Sequence, residues 1–255
     1  MVPALFIGHG SPTLAIEQNE YTKFLKELGI SIKPKAIVIF TAHWENDITS
    51  ISARDNTYEM IYDFGGFSEE LYSIKYAAKG SATLAANIQD KLAGRGIESK
   101  IDTKRGLDHG SWVILSLMYP KADIPVVQIS INPNLAPEQQ YKIGQAIKSF
   151  GKEDILVIGS GGTVHNLWTI NWEEEKPEKW AVEFDDWIVD RIEEKDLKSL
   201  FSYKQLAPNS KRAVPREEHL MPLFIAMGSG GEEKAPKVLH RSYAYGTLSQ
   251  ICFEF

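Results

Sequence analysis

Ala36-Ile37-Val38-Ile39-Phe40-Thr41 is a short apolar run, rich in β-branched residues, followed directly by Ala42-His43-Trp44. A run of this length with no polar alternation fits a strand covered on both faces, the pattern of a parallel sheet. Ala4–Ile7, Pro125–Ile131 and Ile155–Gly159 read the same way. Helical patterns lie between and after them, at Leu14–Leu28, Ala82–Ala93, Pro137–Phe150, Trp180–Glu194 and Glu217–Met227. Strands alternating with helices predict an α/β fold, a central mostly parallel sheet flanked by helices on both faces. No repeat or linker divides residues 1–255, so a single domain is expected.

The C-terminal region departs from this pattern. Lys237–Tyr243 and Thr247–Phe255 flank the turn-like Ala244-Tyr245-Gly246 and predict a hairpin. Ile48–Ala53 paired with Tyr72–Tyr76 is a candidate antiparallel edge, so the sheet is expected to be mixed.

Composition narrows the function. Hydrophobic residues at 43% and charged residues at 24% supply an ordinary globular core. A net charge of −6 with no basic run argues against a nucleic-acid groove or an anionic-membrane surface. No apolar run approaches the roughly 20 residues that span a bilayer, and the N-terminus lacks a signal-peptide core, so a cytoplasmic location is expected. The single cysteine, Cys252, rules out an internal disulfide and reads as a small buried hydrophobe. The acidic run Glu173-Glu174-Glu175 reads as a solvated loop.

The histidines carry the chemistry. His9, His43 and His165 each follow a predicted parallel strand, and in doubly wound sheets ligands gather in the crevice beyond the carboxyl ends of strands. Neighbouring strands would bring these rings together, and neutral imidazoles bind iron, zinc, copper and nickel. A hydrogen-bonded structural role is the alternative for any one of them. Gly8 and Gly10 beside His9, and Gly159, Gly161 and Gly162 before His165, let backbone approach closely; the latter group lacks a P-loop lysine. His219 stands at the start of a late helix, with Glu217 and Glu218 as alternative carboxylate donors. Asp108, beside His109, is a candidate to orient another ring, and His240 is read as structural.

In order and spacing, Gly8-His9-Gly10-Ser11-Pro12, Ala42-His43-Trp44, Tyr62-Asp63-Phe64-Gly65-Gly66-Phe67, Leu107-Asp108-His109-Gly110, Gly159–Leu167 and Glu218-His219-Leu220-Met221-Pro222-Leu223 resemble one family. It is the class III extradiol ring-cleavage dioxygenases, in their 4,5-DOPA-dioxygenase-like branch. The resemblance spans nearly the whole chain. It implies Fe(II) as the working metal, with Zn(II) as an alternative occupant, and O2-dependent opening of a small catecholic substrate beside its hydroxyls. It implies His9, His43 and His219 as metal ligands, and His165 as either a further ligand or the acid/base. His109 would act on substrate or oxygen, and Tyr62 and Phe64 are candidate substrate-binding residues. Val214, five residues before His219, stands where relatives often carry histidine, which bears on substrate preference. The competing readings are a zinc hydrolase that activates water on the same histidines, and a non-catalytic binding protein on the same fold. The expected state is a monomer or small homo-oligomer.

Overall fold

The computed structural model of the chain describes residues 1–174, 176–231 and 235–255, so Glu175 of the acidic run lies outside the described residues. Glu173 is exposed, as expected of a solvated loop.

The four apolar runs become β1 (Ala4–Gly8), β2 (Ala36–Glu45), β5 (Val126–Ile131) and β6 (Ile155–Gly161). β2 pairs parallel with both β5 and β6, and β6 pairs parallel with β1. These strands form the centre of an eight-stranded sheet. On one side β3 (Thr49–Ser52) runs antiparallel to β5 and carries β4 (Ser99–Asp102) at the edge. On the other, β10 (Cys252–Glu254) runs antiparallel to β1 and is followed outward by β7 (Lys237–His240). The order is β4-β3-β5-β2-β6-β1-β10-β7, a mixed sheet with a parallel core.

Successive strand residues point to opposite faces. Phe6, Val38, Phe40, Val127, Ile129 and Val157 join one core, which α3 (Ala82–Ala93), α5 (Pro137–Ala146), α6 (Lys179–Glu193) and α10 (Met221–Ser229) cover. Leu5, Ile7, Ile37, Ile39, Leu156 and Ile158 join the other, under α1 (Glu20–Ser31) and α4 (His109–Met118). Among the described residues the remaining helices are short: α2 (Glu69–Ser73), α7 (Leu197–Phe201), α8 (Tyr203–Leu206) and α9 (Ser210–Ala213). None of the described helices is long and apolar enough to cross a membrane. Cys252 is buried, as its apolar context predicts.

Several boundaries differ from expectation. The helix predicted over Leu14–Leu28 is broken: Pro12–Ala15 forms a 3-10 turn, and α1 starts only after Asn19. Asn19 Oδ1 accepts from Thr22 N at 2.8 Å while Thr22 Oγ1 accepts from Asn19 N at 3.0 Å, a reciprocal cap that apolar spacing alone does not reveal. Likewise α5 ends at Ala146, and Lys148–Glu153 continues as 3-10 helix. The edge partner of β3 is β4, while Tyr72 and Ser73 belong to α2. The C-terminal hairpin divides in two: β7 and β10 extend the main sheet, while β8 (Tyr243–Ala244) and β9 (Leu248–Ser249) pair separately. Tyr245 and Gly246 both have positive φ at the tip, the geometry of a tight hairpin turn.

Candidate metal centre

Three chain segments deliver the central histidines. His9 follows β1 directly, its N–H donating to Gly161 O at 3.0 Å. His43 lies within β2, in a stretch after Thr41 where the pairing with β5 loses register. A bulged strand bends and re-aims its side chains. His219 arrives from a turn two residues before α10, whereas the predicted span Glu217–Met227 placed it within the helix. Its carbonyl accepts from Gly162 N at 2.8 Å. This approach needs glycine: a Cβ on Gly161 would stand 2.1 Å from His219 O, and one on Gly159 2.2 Å from Pro222 O.

The three Nε2 atoms converge. His9 Nε2 and His43 Nε2 are 3.1 Å apart, and His43 Nε2 and His219 Nε2 are 3.3 Å apart. Each Nδ1 is anchored on the far side of its ring, at 2.9 Å from Ser160 Oγ for His9, 3.1 Å from Asp63 Oδ2 for His43 and 3.0 Å from Glu218 Oε1 for His219. Ser160 gives its own proton to Gly110 O, so it accepts from His9 Nδ1–H. A carboxylate likewise takes the Nδ1 proton of His43. The Nε2 atoms of His9 and His43 therefore meet as two lone pairs, a repulsive contact that a cation between them turns into attraction. Nitrogen ligands about 2.0–2.1 Å from a metal at tetrahedral angles stand about 3.3–3.4 Å apart, close to the spacings seen here. His9, His43 and His219 thus form a donor set suited to a metal ion.

Two further histidines border this set. His109, at the start of α4, lies with its ring centroid 3.9 Å from that of His43, and its Nδ1 is 2.9 Å from Asp63 Oδ1. One carboxyl therefore holds both rings. Burial raises the Asp63 pKa, but hydrogen bonds from His109 and His43 outweigh it and keep the group well below the usual carboxylate range. The ring of His165 stacks parallel on His219, with centroids 3.4 Å apart. It groups with Glu218 and His219, not with the His9–His43–His219 set. Burial, and then the neighbouring His43 and His109, lower its pKa to about 3. Burial, followed by the surrounding histidines, also keeps His9 and His219 well below the ordinary value. His9, His165 and His219 are therefore held as neutral rings near pH 7, the form in which imidazole binds metals.

Phe64 stands edge-on to His109, with ring centroids 5.6 Å apart, and so borders the cluster. Tyr62 sits behind it against Trp112, and its hydroxyl engages Ile74 O and Lys75 Nζ. His240 packs away from the site on Tyr21 and Phe24. Val214 packs against the hydrophobic core next to α9. Asp108 does not orient a ring: it is fully buried, accepts from Thr41 Oγ1 and pairs with Arg105, which in turn donates to His43 O. It supports the backbone around His43 instead. Asp63 and Ser160 were missed as ring anchors, although Asp63 is the lone acid in an aromatic and glycine-rich loop. Glu218, weighed from sequence as a metal donor, holds His219 from behind.

Residues 3–255 match the family described as the catalytic LigB subunit of aromatic ring-opening dioxygenase. The chain belongs to this family. Enzymes of this family open aromatic rings with dioxygen, and the chain is an aromatic ring-cleavage dioxygenase by membership. It is 42% identical over 255 residues to 4,5-DOPA dioxygenase extradiol of Beta vulgaris, covering 98% of this chain and 95% of that one. The Escherichia coli K12 protein of the same name is 34% identical, with 98% and 93% covered. Among solved structures, an uncharacterized protein of Escherichia coli K12 superposes over 100% of both chains with a TM-score of 0.86 at 30% identity. The family match and the mixed α/β sheet agree with what the motifs imply.

Proposed function

We propose that residues 1–255 act as one catalytic domain that opens a catechol-type ring, 4,5-DOPA or a close analogue, beside its two hydroxyls, with both atoms of O2 entering the product. The observation that carries this reading is the convergence of the Nε2 atoms of His9, His43 and His219, each ring locked from behind, in a chain of the ring-opening dioxygenase family. These three residues would hold Fe(II), a metal that imidazole suits and that, unlike zinc, has redox chemistry. When bound, the iron supplies the electron-transfer capacity toward O2 and the positive charge that acidifies the catechol hydroxyls.

The remaining residues divide the other tasks. His165 enters as a neutral acceptor and is the acid/base. A ring with so low a pKa takes a proton only from an already acidified hydroxyl, and it returns that proton readily. His109 donates Nδ1–H to Asp63, which leaves its Nε2 as an acceptor for a substrate hydroxyl. Phe64 supplies an apolar wall beside it, and Tyr62 backs Phe64.

The test is oxygen uptake by Fe(II)-loaded protein across a panel of catechols that includes DOPA, following the yellow ring-fission product. His9→Ala is expected to lose the metal, whereas His165→Ala is expected to keep it and lose turnover. No oxygen uptake with any catechol, together with hydrolysis supported by Zn(II), would replace this reading with that of a zinc hydrolase.

A further inference from the structure

Arg216 stands in the bend between α9 and α10, three residues before His219, and has no task in the activity proposed above. Its guanidinium joins two segments that carry proposed metal ligands. Nη2 donates to both oxygens of Glu45, at 3.0 and 2.9 Å. Nε lies 3.4 Å from Glu218 Oε2. Because a guanidinium is planar and rigid, the two contacts fix where these carboxyls stand relative to one another.

Each carboxyl bears on a ligand. Glu45 is the last residue of β2, where the strand regains its pairing with Ile131 of β5 after the stretch that holds His43. Glu218 accepts from His219 Nδ1 through Oε1 at 3.0 Å. Its other oxygen is buried and makes no hydrogen bond, so the ion pair with Arg216 is what engages that side of the carboxyl. The bend is pinned again at Glu217, which pairs with Lys204 of α8.

Stability does not account for this arrangement. The Arg216 side chain is 64% exposed, and exposed ion pairs add little to folding. What the contacts supply is geometry. They hold the end of β2 to the turn that delivers His219, where His43 Nε2 and His219 Nε2 stand 3.3 Å apart.

We propose that Arg216 is a positioning residue for His219, acting through Glu218 while Glu45 ties it to the strand of His43. The inference rests on the reading of His219 as a metal ligand. It is tested with Arg216→Gln, and with Glu45→Gln, which loosens the same guanidinium from its other side.

Two readouts are compared with wild type: the His219 imidazole NMR resonances of the metal-free protein, and Zn(II) affinity by competition with a chelator. Both variants are expected to shift the His219 resonances and to keep the metal-free Tm within about 2 °C. Zn(II) binding should weaken by about 3- to 10-fold, less than the loss of a direct partner behind a ligand causes. In a Glu218→Gln background, Arg216→Gln should bring no further loss of affinity, because its path to His219 has already been cut. A folded Arg216→Gln protein with wild-type His219 resonances would overturn the proposal, as would losses that add in the double variant. If His219→Ala binds Zn(II) as tightly as wild type, the ligand reading fails by itself, and the resonances of the metal-free protein still decide the role of Arg216.

Discussion

Asp63 anchors two histidines of the candidate metal centre with one carboxyl. Asp63→Ala frees the Nδ1 atoms of His43 and His109 together. It should weaken metal binding by about 10- to 100-fold, the usual cost of losing a partner behind a ligand, as measured by competition with a chelator. Unchanged affinity would show that packing alone orients His43. Acid should act on the rings directly. The folded-state pKa values of His9, His165 and His219 lie below the ordinary 6.5, with burial as the first cause. Between those values and 6.5 the unfolded chain binds protons that the folded chain refuses. Their contribution to stability is therefore complete above pH 6.5 and is lost as pH falls, through about 3 for His165. Urea midpoints of the metal-free protein should drop as pH is lowered from 6.5, and a flat profile would contradict the burial of neutral rings. The histidines themselves were legible in the sequence because they stand in short turn-like or helix-start contexts, three of them after predicted strands. Their anchors were not, since a serine or acid that accepts from a distant ring nitrogen leaves no local pattern; Ser160 is 151 positions away from His9.

Helix α10 brings the third histidine only because β6 has no side chains in its path. Gly161→Ala would drive a methyl group into the His219 carbonyl, since that Cβ would stand 2.1 Å away. The neighbour is backbone and has little freedom to move, so the variant should lose metal affinity and melt at lower temperature than wild type. Retention of both would mean that the turn before α10 is more pliant than its packing indicates. Strands were the better-read elements, because an apolar run with no wet face has few other uses. Helix ends were read less well. Leu14 and Phe24 share an apolar core, and their spacing carried a predicted helix across a break. The stop is set by Asn19, whose side chain caps α1, and Asn19→Ala should cost about 1 kcal/mol in denaturant unfolding. The edge beside β3 was misassigned for a related reason: Tyr72 has strand propensity, but the segment around it forms α2, and β4 arrives from far along the chain to take the position.

The candidate metal centre joins parts of the whole molecule, since its proposed donors come from residues 9, 43 and 219 on separate segments. A metal that binds this arrangement and not the unfolded chain stabilises by about 2.7 kcal/mol at a free concentration one hundred times Kd. For a domain of this size each kcal/mol is worth about 2–4 °C, so chelation should lower Tm by several degrees. Equal melting with and without metal would place the ion elsewhere. The α/β class and the gathering of histidines at one end of the sheet were legible at this scale because period and position survive without coordinates. The strand order was not, since no local rule tells β1 that one of its neighbours lies at the far end of the chain. That pairing, Leu5 with Glu254 and Ile7 with Cys252, has a consequence for synthesis. As the chain leaves the ribosome, β1 presents an open apolar edge until the last strand has been made, and unpaired edges of this kind invite contact between chains. His9, which follows that strand and is a proposed ligand, is translated early and fixed late. Under the proposed ligand set, metal is expected to load only after this pairing has formed.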